Sequence, residues 1–188
     1  MEFVLLSLLL VAGLATSADG GSGGVGGGGD GGGGDDSLQG AGNDQIAGGA
    51  GNDLLSLAGE AVGWGGSGDD QLIAADRAQA FGESGADRFD LSGAAQGLGG
   101  EGNDRLTVTD GAVGYGLGGD DWLSGDENAT LQGGSGDDTL VGGQGDDLLV
   151  AGTGHDAVQG GSDDDLAVGG EGELADLEGL AGTARLGF

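Results

Sequence analysis

The amino-acid sequence predicts an all-β fold, a parallel β-solenoid of about eight coils with 17–18 residues in each coil. Three observations support this prediction. A nine-residue motif rich in glycine and aspartate recurs along the chain, its copies keep a constant spacing, and a short run of alternating apolar and polar residues follows each copy. Repeats of this kind bury a continuous core only by stacking on their neighbours.

The repeated motif is clearest in the stretch GGSGDDQLI at residues 65–73. Its sixth position is an aspartate, and seven such aspartates follow one another at intervals of 17 residues. They are Asp36, Asp53, Asp70, Asp87, Asp104, Asp121 and Asp138. The constant interval predicts that these residues align along one side of the solenoid, one in each coil.

Each coil is predicted to contain two short strands. The run after each motif alternates, as in Leu55 and Leu57, and period-two spacing puts both side chains on one face. The second strand lies in the eight-residue spacer between motif copies. Four successive spacers each end in a large apolar residue, and these four residues also recur every 17 residues. We expect these four to stack in the core, in a column that polar glutamines interrupt. The apolar residues are Trp64, Phe81, Leu98 and Tyr115, and the glutamines are Gln79, Gln96 and Gln132.

The composition excludes several classes of protein. Glycine supplies 52 of 188 residues, proline and cysteine are absent, and 33 acidic residues against 4 arginines give a formal net charge of −29. Glycine does not occupy every third position, as a collagen helix requires. A nucleic-acid-binding protein needs a basic face, so this charge excludes that function. Without cysteine, no disulfide can stabilise the fold.

The motif copies fit the pattern GGxGxDxUx, where U is a large apolar residue. This pattern resembles the nonapeptide of the RTX (repeat-in-toxin, hemolysin-type) calcium-binding family, over about residues 31–168. The resemblance implies a β-roll in which each calcium ion lies between loops of successive coils, with the aspartate as a carboxylate ligand. Glycine permits the tight turns, and Ca²⁺ takes six to eight oxygen ligands from carboxylates and backbone carbonyls.

The resemblance implies calcium ligands along one side of the roll, in a set that we call the main aspartate column. It consists of Asp36, Asp53, Asp70, Asp87, Asp104, Asp121, Asp138 and Asp156. Eight loops leave seven gaps, so about seven ions are expected. On the opposite side, the sixth positions are read as Val62, Gln79, Gln96 and Val113, which leaves Asp44 without a partner. No calcium is therefore expected on that side until Asp147 and Asp165 restore a pair for one further ion.

Other polar residues receive less specific interpretations. An alternative role for the sixth-position aspartates is turn capping. The fifth-position aspartates are expected to face water; they are Asp69, Asp120, Asp137 and Asp146. His155 is the only histidine, so a zinc site or a nucleophile–base pair is not predicted, and neither is an enzyme. Trp122 is expected to point outward.

The two ends differ from the repeats. Residues 1–18 contain an apolar run followed by small residues, which is typical of a secretory signal peptide, although Glu2 is unusual there and a hydrophobic cap on the first coil is the alternative. Residues 19–30 form a glycine-rich linker, 31–170 the β-roll, and 171–188 a C-terminal cap or tail that could also be an export signal.

The sequence thus predicts a secreted, extracellular calcium-binding protein with a structural or surface-associated role and no transmembrane span. Repulsion among the aligned carboxylates should keep the chain unfolded until calcium binds. Two alternatives remain. One is a calcium-dependent adhesion or ligand-binding module that contacts a cell surface or glycan. The other is the repeat part of a larger secreted toxin or hydrolase.

Overall fold

A computed structural model describes residues 29–169 and 177–178. Within this part of the chain all regular elements are strands, and two parallel sheets divide them. The first sheet contains β1 (Gly29–Gly33), β3 (Gln45–Ala50), β5 (Val62–Ser67), β7 (Gln79–Ser84), β9 (Gln96–Glu101), β11 (Val113–Gly118), β13 (Thr130–Ser135), β15 (Leu148–Thr153) and β17 (Leu166–Val168). The second contains β2 (Ser37–Gly40), β4 (Leu54–Leu57), β6 (Gln71–Ala74), β8 (Arg88–Leu91), β10 (Arg105–Val108), β12 (Trp122–Gly125), β14 (Thr139–Gly143), β16 (Ala157–Gly161) and β18 (Leu177–Glu178).

The chain winds as a parallel β-solenoid, as the sequence predicts. Successive strands alternate between the sheets, and each strand pairs with the strand one coil before and one coil after it. Leu55 lies beside Leu72, an offset of 17 residues, whereas Leu140 lies beside Val158, an offset of 18. Strands β1 to β16 therefore make eight coils, of which the later ones are one residue longer. No helix in the described residues is long and apolar enough to cross a membrane.

The core is a single layer of large side chains. Leucines and a phenylalanine of the second sheet point inward and are fully buried, as predicted for Leu55, Leu57 and Phe89. The inward positions of the first sheet that face them are mostly glycine and alanine. A Cβ on Gly63 would lie 2.7 Å from a methyl carbon of Leu57. Ile46, Leu131 and Leu149 are the large buried residues of the first sheet, and Gly40 of the second sheet lies against Ile46. The roll is thin, so a large residue on one wall tends to face a small one on the other.

The predicted aromatic core column is wrong. Trp64, Phe81, Leu98 and Tyr115 align across neighbouring strands, but they are half-buried and lie on the outer face of the first sheet. The fully buried positions beside them are Gly63, Ala80, Gly97 and Gly114. Gln79, Gln96 and Gln132 also lie on the outer face, so they do not interrupt the core.

The two sides of the roll use different connections. On one side, the first six residues of each motif, such as 65–70, carry the chain from the first sheet to the second; we call these six residues a loop, although the first three still belong to the strand. On the other side, four-residue turns join the second sheet to the first, as where the Ala61 amide donates to the Ala58 carbonyl at 3.4 Å. Gln45 pairs with Val62, so Asp44 lies beside Ala61, one residue from the position that the sequence analysis assigned. Buried alanines thus hold the sixth positions of these turns: Ala61, Ala78, Ala95, Ala112 and Ala129.

Candidate metal centre

The loop geometry depends on glycine. Within the loop at 65–70, Gly66 and Gly68 have φ angles of 117° and 124°, in the region that disfavours side chains. A Cβ on Gly68 would also overlap the carbonyl of Gly51 in the preceding loop. Successive loops therefore stack backbone against backbone, which brings their carbonyl oxygens and aspartates into register.

One oxygen of each main-column aspartate makes a hydrogen bond between coils. The Asp53 amide donates to Oδ1 of Asp70 at 2.7 Å, and the Asp70 amide donates to Oδ1 of Asp87 at 2.8 Å. The same bond recurs from Asp36 through to Asp156, with distances of 2.7–3.0 Å. Each carboxylate therefore fixes the loop of the coil before it, and its own orientation is fixed in return.

The other oxygen, Oδ2, has no hydrogen-bond partner although it is buried. This holds for seven residues of the main column, Asp36, Asp53, Asp70, Asp87, Asp104, Asp121 and Asp138, and for Asp147 and Asp165 on the opposite side. A buried carboxylate oxygen without a partner carries a large desolvation cost. So regular a set of unpaired oxygens is suited to the binding of cations.

Beside the first glycine of a loop, an unpaired Oδ2 and a carbonyl oxygen of the next loop approach the same point, which we call the inter-loop pocket. A Cβ placed on Gly31, the first residue of its loop, would lie 2.7 Å from Oδ2 of Asp36 and 2.5 Å from the carbonyl oxygen of Gly48 in the next loop. The same pairing of Oδ2 with a carbonyl of the next coil recurs beside the first glycine of eight loops: Gly31, Gly48, Gly65, Gly82, Gly99, Gly116, Gly133 and Gly142.

The chemistry of the pocket suits a hard cation bound by oxygen. Within the described residues, no three side chains of histidine, cysteine, aspartate or glutamate converge on one point. Each loop offers a single inward carboxylate, so the remaining ligands would be backbone carbonyls. That donor set fits Ca²⁺ and does not fit zinc, which prefers histidine and cysteine.

Burial perturbs these carboxyl groups. Loss of hydration raises the pKa of Asp104 and Asp138 from 3.8 to about 7, with a further contribution from neighbouring aspartates. The same causes raise the pKa of Asp70, Asp87 and Asp121 to about 6, and the hydrogen bond from the preceding amide only partly opposes them. Without a cation, the folded column therefore disfavours its own ionisation.

The opposite side carries a second, short column. The Ala129 amide donates to Oδ1 of Asp147 at 2.7 Å, and the Asp147 amide donates to Oδ1 of Asp165 at 3.0 Å. At this point a motif copy, residues 142–147, carries the chain from the second sheet to the first, and the coil gains one residue. Burial raises the pKa of Asp147 to about 6, and the charge of Asp165 adds to this effect.

Asp156 differs from the rest of the main column. It accepts the hydrogen bond from the Asp138 amide, but its Oδ2 is not among the buried oxygens that lack a partner. The first residue of its loop is Ala151, which is fully buried, whereas that position is glycine in the loops described above. The methyl group of Ala151 thus stands where the other loops keep the inter-loop pocket.

The fifth-position residues form a second ladder that the sequence analysis missed. Asp69 is exposed, as expected, but its Oδ1 also accepts the amide of Ala86 in the following coil at 2.9 Å. Oδ1 of Asn52 accepts the amide of Asp69 in the same way, at 3.0 Å. The frequent aspartate or asparagine at this position was the available signal. Trp122 points outward, as predicted, and His155 is exposed.

Comparison with known protein families gives one match. A family model described as the RTX calcium-binding nonapeptide repeat matches the chain in four copies, at residues 25–57, 98–113, 124–158 and 141–173. Together these segments cover just over half of the chain. Neither the curated proteins nor the solved structures contain a significant match. The coils at 58–97 fall between the matched segments, yet they continue the same aspartate ladder.

Proposed function

The chain belongs to the RTX calcium-binding nonapeptide repeat family, and from this premise we propose that it is a secreted structural module that folds when it binds extracellular calcium. Membership of this family implies that the repeats form a calcium-binding structural domain. The column of buried Oδ2 atoms without partners is the observation that best supports the proposal of calcium-dependent folding.

The repulsion within the column explains why folding would need the ion. Aligned strands are about 4.8 Å apart, and unit charges at about that distance repel by roughly 1 kcal/mol in water and by more where the effective dielectric is lower. The thin core offers little apolar burial to offset this repulsion across eight coils. A cation that binds only the folded chain adds its binding free energy to folding.

We propose that the main-column aspartates from Asp36 to Asp138 bind about seven ions, with one more at Asp147. When bound, calcium supplies positive charge and a flexible coordination shell of oxygen ligands. Three groups of the chain would prepare each site: Oδ1 orients the carboxylate through the preceding amide, Oδ2 faces the pocket, and the carbonyl of the next loop offers a further oxygen. Asp156 and Asp165 orient the loops before them.

The proposed secretion rests on the sequence of residues 1–18, which lie outside the described residues. Extracellular calcium-binding modules have dissociation constants of about 10⁻⁴–10⁻³ M, far weaker than those of cytosolic calcium sensors. With such affinities the chain would stay unfolded before export and fold afterwards. Mass spectrometry of protein recovered from the medium should find an N-terminus near Asp19; intracellular retention would contradict this proposal.

The central experiment compares two double variants with the same change in charge. Asp87→Ala/Asp104→Ala removes two pocket carboxylates, and Asp69→Ala/Asp120→Ala removes two exposed ones. Calcium titration followed by circular dichroism and calorimetry should show that the first variant binds at least two fewer ions and needs more calcium to fold. The second variant should keep the wild-type stoichiometry. Full folding of the wild-type protein in excess chelator would contradict calcium-dependent folding.

A further inference from the structure

The outer face of the first sheet is a surface that calcium binding does not explain. Two columns of side chains point outward along strands β3 to β15. The first column is Gln45, Val62, Gln79, Gln96, Val113, Thr130 and Leu148, and the second is Ala47, Trp64, Phe81, Leu98, Tyr115, Gln132 and Val150. We call these fourteen positions the outer face. They include no charged residue, although one residue in five of the chain is charged.

Aromatic rings form the centre of the outer face. Trp64 and Phe81 lie in neighbouring strands with ring centroids 5.9 Å apart and planes at 12°, so they stack nearly parallel. Leu98 and Tyr115 continue the column in the next two strands. The parallel pairing sets the spacing of these side chains, so they form a partly exposed apolar strip with little conformational freedom to lose on binding.

Amide side chains flank the aromatic strip. Gln79 and Gln96 lie in register in adjacent strands, two residues before Phe81 and Leu98 on the same face, and both are exposed. Neither side-chain amide forms a hydrogen bond to another described residue. Each amide offers two donors and one carbonyl acceptor to a ligand.

The charge distribution decides between classes of partner. A nucleic acid or another polyanion would find no cation on the outer face and would be repelled by a chain of net charge −29. A second copy placed face to face would bring the acidic loops of both copies alongside each other. A neutral ligand that combines apolar ring faces with hydroxyl groups would not be repelled by the acidic chain. Its apolar faces can pack on the aromatic side chains, and its hydroxyl groups can form hydrogen bonds with the flanking amides.

We propose that the outer face binds a neutral polysaccharide, with Trp64 and Phe81 against the sugar rings and Gln79 and Gln96 on the hydroxyl groups. This proposal rests on the proposed function, because the face exists only in the folded roll. It assigns to the calcium-loaded protein an adhesive role on a surface coated with such a polymer.

The test uses the full chain in saturating calcium with cellulose, chitin and starch as neutral probes and alginate as the acidic probe. We expect binding to at least one neutral polymer and none to alginate. Trp64→Ala/Phe81→Ala should weaken the binding by at least about tenfold, as expected for central aromatic contacts. Trp122→Ala removes an aromatic residue from the outer surface of the second sheet and should leave the binding unchanged.

A second double variant keeps the test valid if Trp64→Ala/Phe81→Ala does not fold. Gln79→Glu/Gln96→Glu keeps both rings and adds two charges to the outer face, and it too should abolish binding. Calcium titration by circular dichroism is run on every variant, so failure of calcium-dependent folding is seen separately from failure of sugar binding. Absence of binding to all neutral probes, equal binding to alginate, or full binding by both double variants would overturn the proposal. A dimer that either double variant dissociates would also overturn it, because a second copy would then cover the face.

Discussion

At the scale of the residue, the two oxygens of each aspartate have different roles. Oδ1 holds the preceding coil, and Oδ2 faces the inter-loop pocket without a partner. The sequence predicted which aspartates align, because their interval is constant, but it could not separate these oxygens. It also could not show that the first glycine matters as much as the aspartate, since only the stacked geometry places a potential Cβ against Oδ2.

Gly99→Ala should remove one calcium ion without changing any charge. The added Cβ would overlap Oδ2 of Asp104 and lie 2.7 Å from the Gly116 carbonyl, so it fills the pocket. Calorimetric titration should count one ion fewer, with weaker folding by calcium. Gly118→Ala is the matched control, because its Cβ would meet nothing closer than 3.6 Å. An unchanged stoichiometry in Gly99→Ala would show that the ion lies elsewhere.

Ala151→Gly is the converse change. Removing this buried methyl group should open a pocket beside Asp156 like those of the other loops. We expect one additional ion by calorimetry under conditions that saturate the wild-type protein. Ala167→Gly, which also removes a buried alanine methyl but lies in strand β17 at the eighth position of its motif rather than the first, should add none. Equal stoichiometry in the wild-type protein and Ala151→Gly would contradict the assignment of Ala151 as a block.

At the scale of the element, the loops and strands were predictable to different degrees. Regular spacing predicted the coils, the parallel pairing and the buried leucines of the second sheet. Alternation alone does not say which of two faces is inward, and the size of Trp64 suggested the core. The signal that would have corrected this is the neighbouring series of Gly63, Ala80 and Gly97, since a thin roll needs small residues opposite leucine. On the turn side, the sequence analysis assigned Val62 to the sixth position, and only the hydrogen-bonded register shows that Ala61 holds it.

The loop at 116–121 contains a backbone strain that a substitution can relieve. Leu117 occupies the second glycine position of its loop with a φ of 84°, and its side chain is 42% exposed. Such a conformation costs a non-glycine residue about 1–3 kcal/mol, whereas the greater freedom of glycine in the unfolded chain costs up to about 1 kcal/mol. Leu117→Gly should therefore raise the free energy of unfolding in calcium by about 1 kcal/mol. Leu148→Gly, at an exposed strand position, should lower it; urea unfolding measures both. A less stable Leu117→Gly protein would show that the position is not strained.

At the scale of the whole molecule, the aligned carboxyl groups make the stability of the calcium-free fold depend on pH. Burial raises the pKa of Asp104 and Asp138 to about 7 and that of Asp70 and Asp87 to about 6, from 3.8. The folded chain thus binds more protons than the unfolded chain between these values, and its stability falls as pH rises. The stabilisation is complete below about pH 4 and is lost as pH rises through about 6 to 7.

In excess chelator, circular dichroism should therefore show more folded protein at about pH 4.5 than at about pH 8. Calcium should act in the opposite direction, because its ligands must be deprotonated, so the calcium needed for folding should increase as pH falls. Asp87→Asn/Asp104→Asn should flatten the first dependence. A calcium-free fold that becomes more stable as pH rises would contradict the raised pKa values.

The stacking of the loops also determines how sharply the molecule responds to calcium. Each loop contributes its first carbonyl to the pocket before it and its carboxylate to the pocket after it, so neighbouring pockets share a loop. In the proposed calcium-loaded roll, an ion that orders one loop would prepare half of the next pocket, so we expect a one-dimensional array with coupling between nearest neighbours. Such an array fills over a narrow range of concentration, as a threshold, and the number of consecutive pockets sets how steep that threshold is.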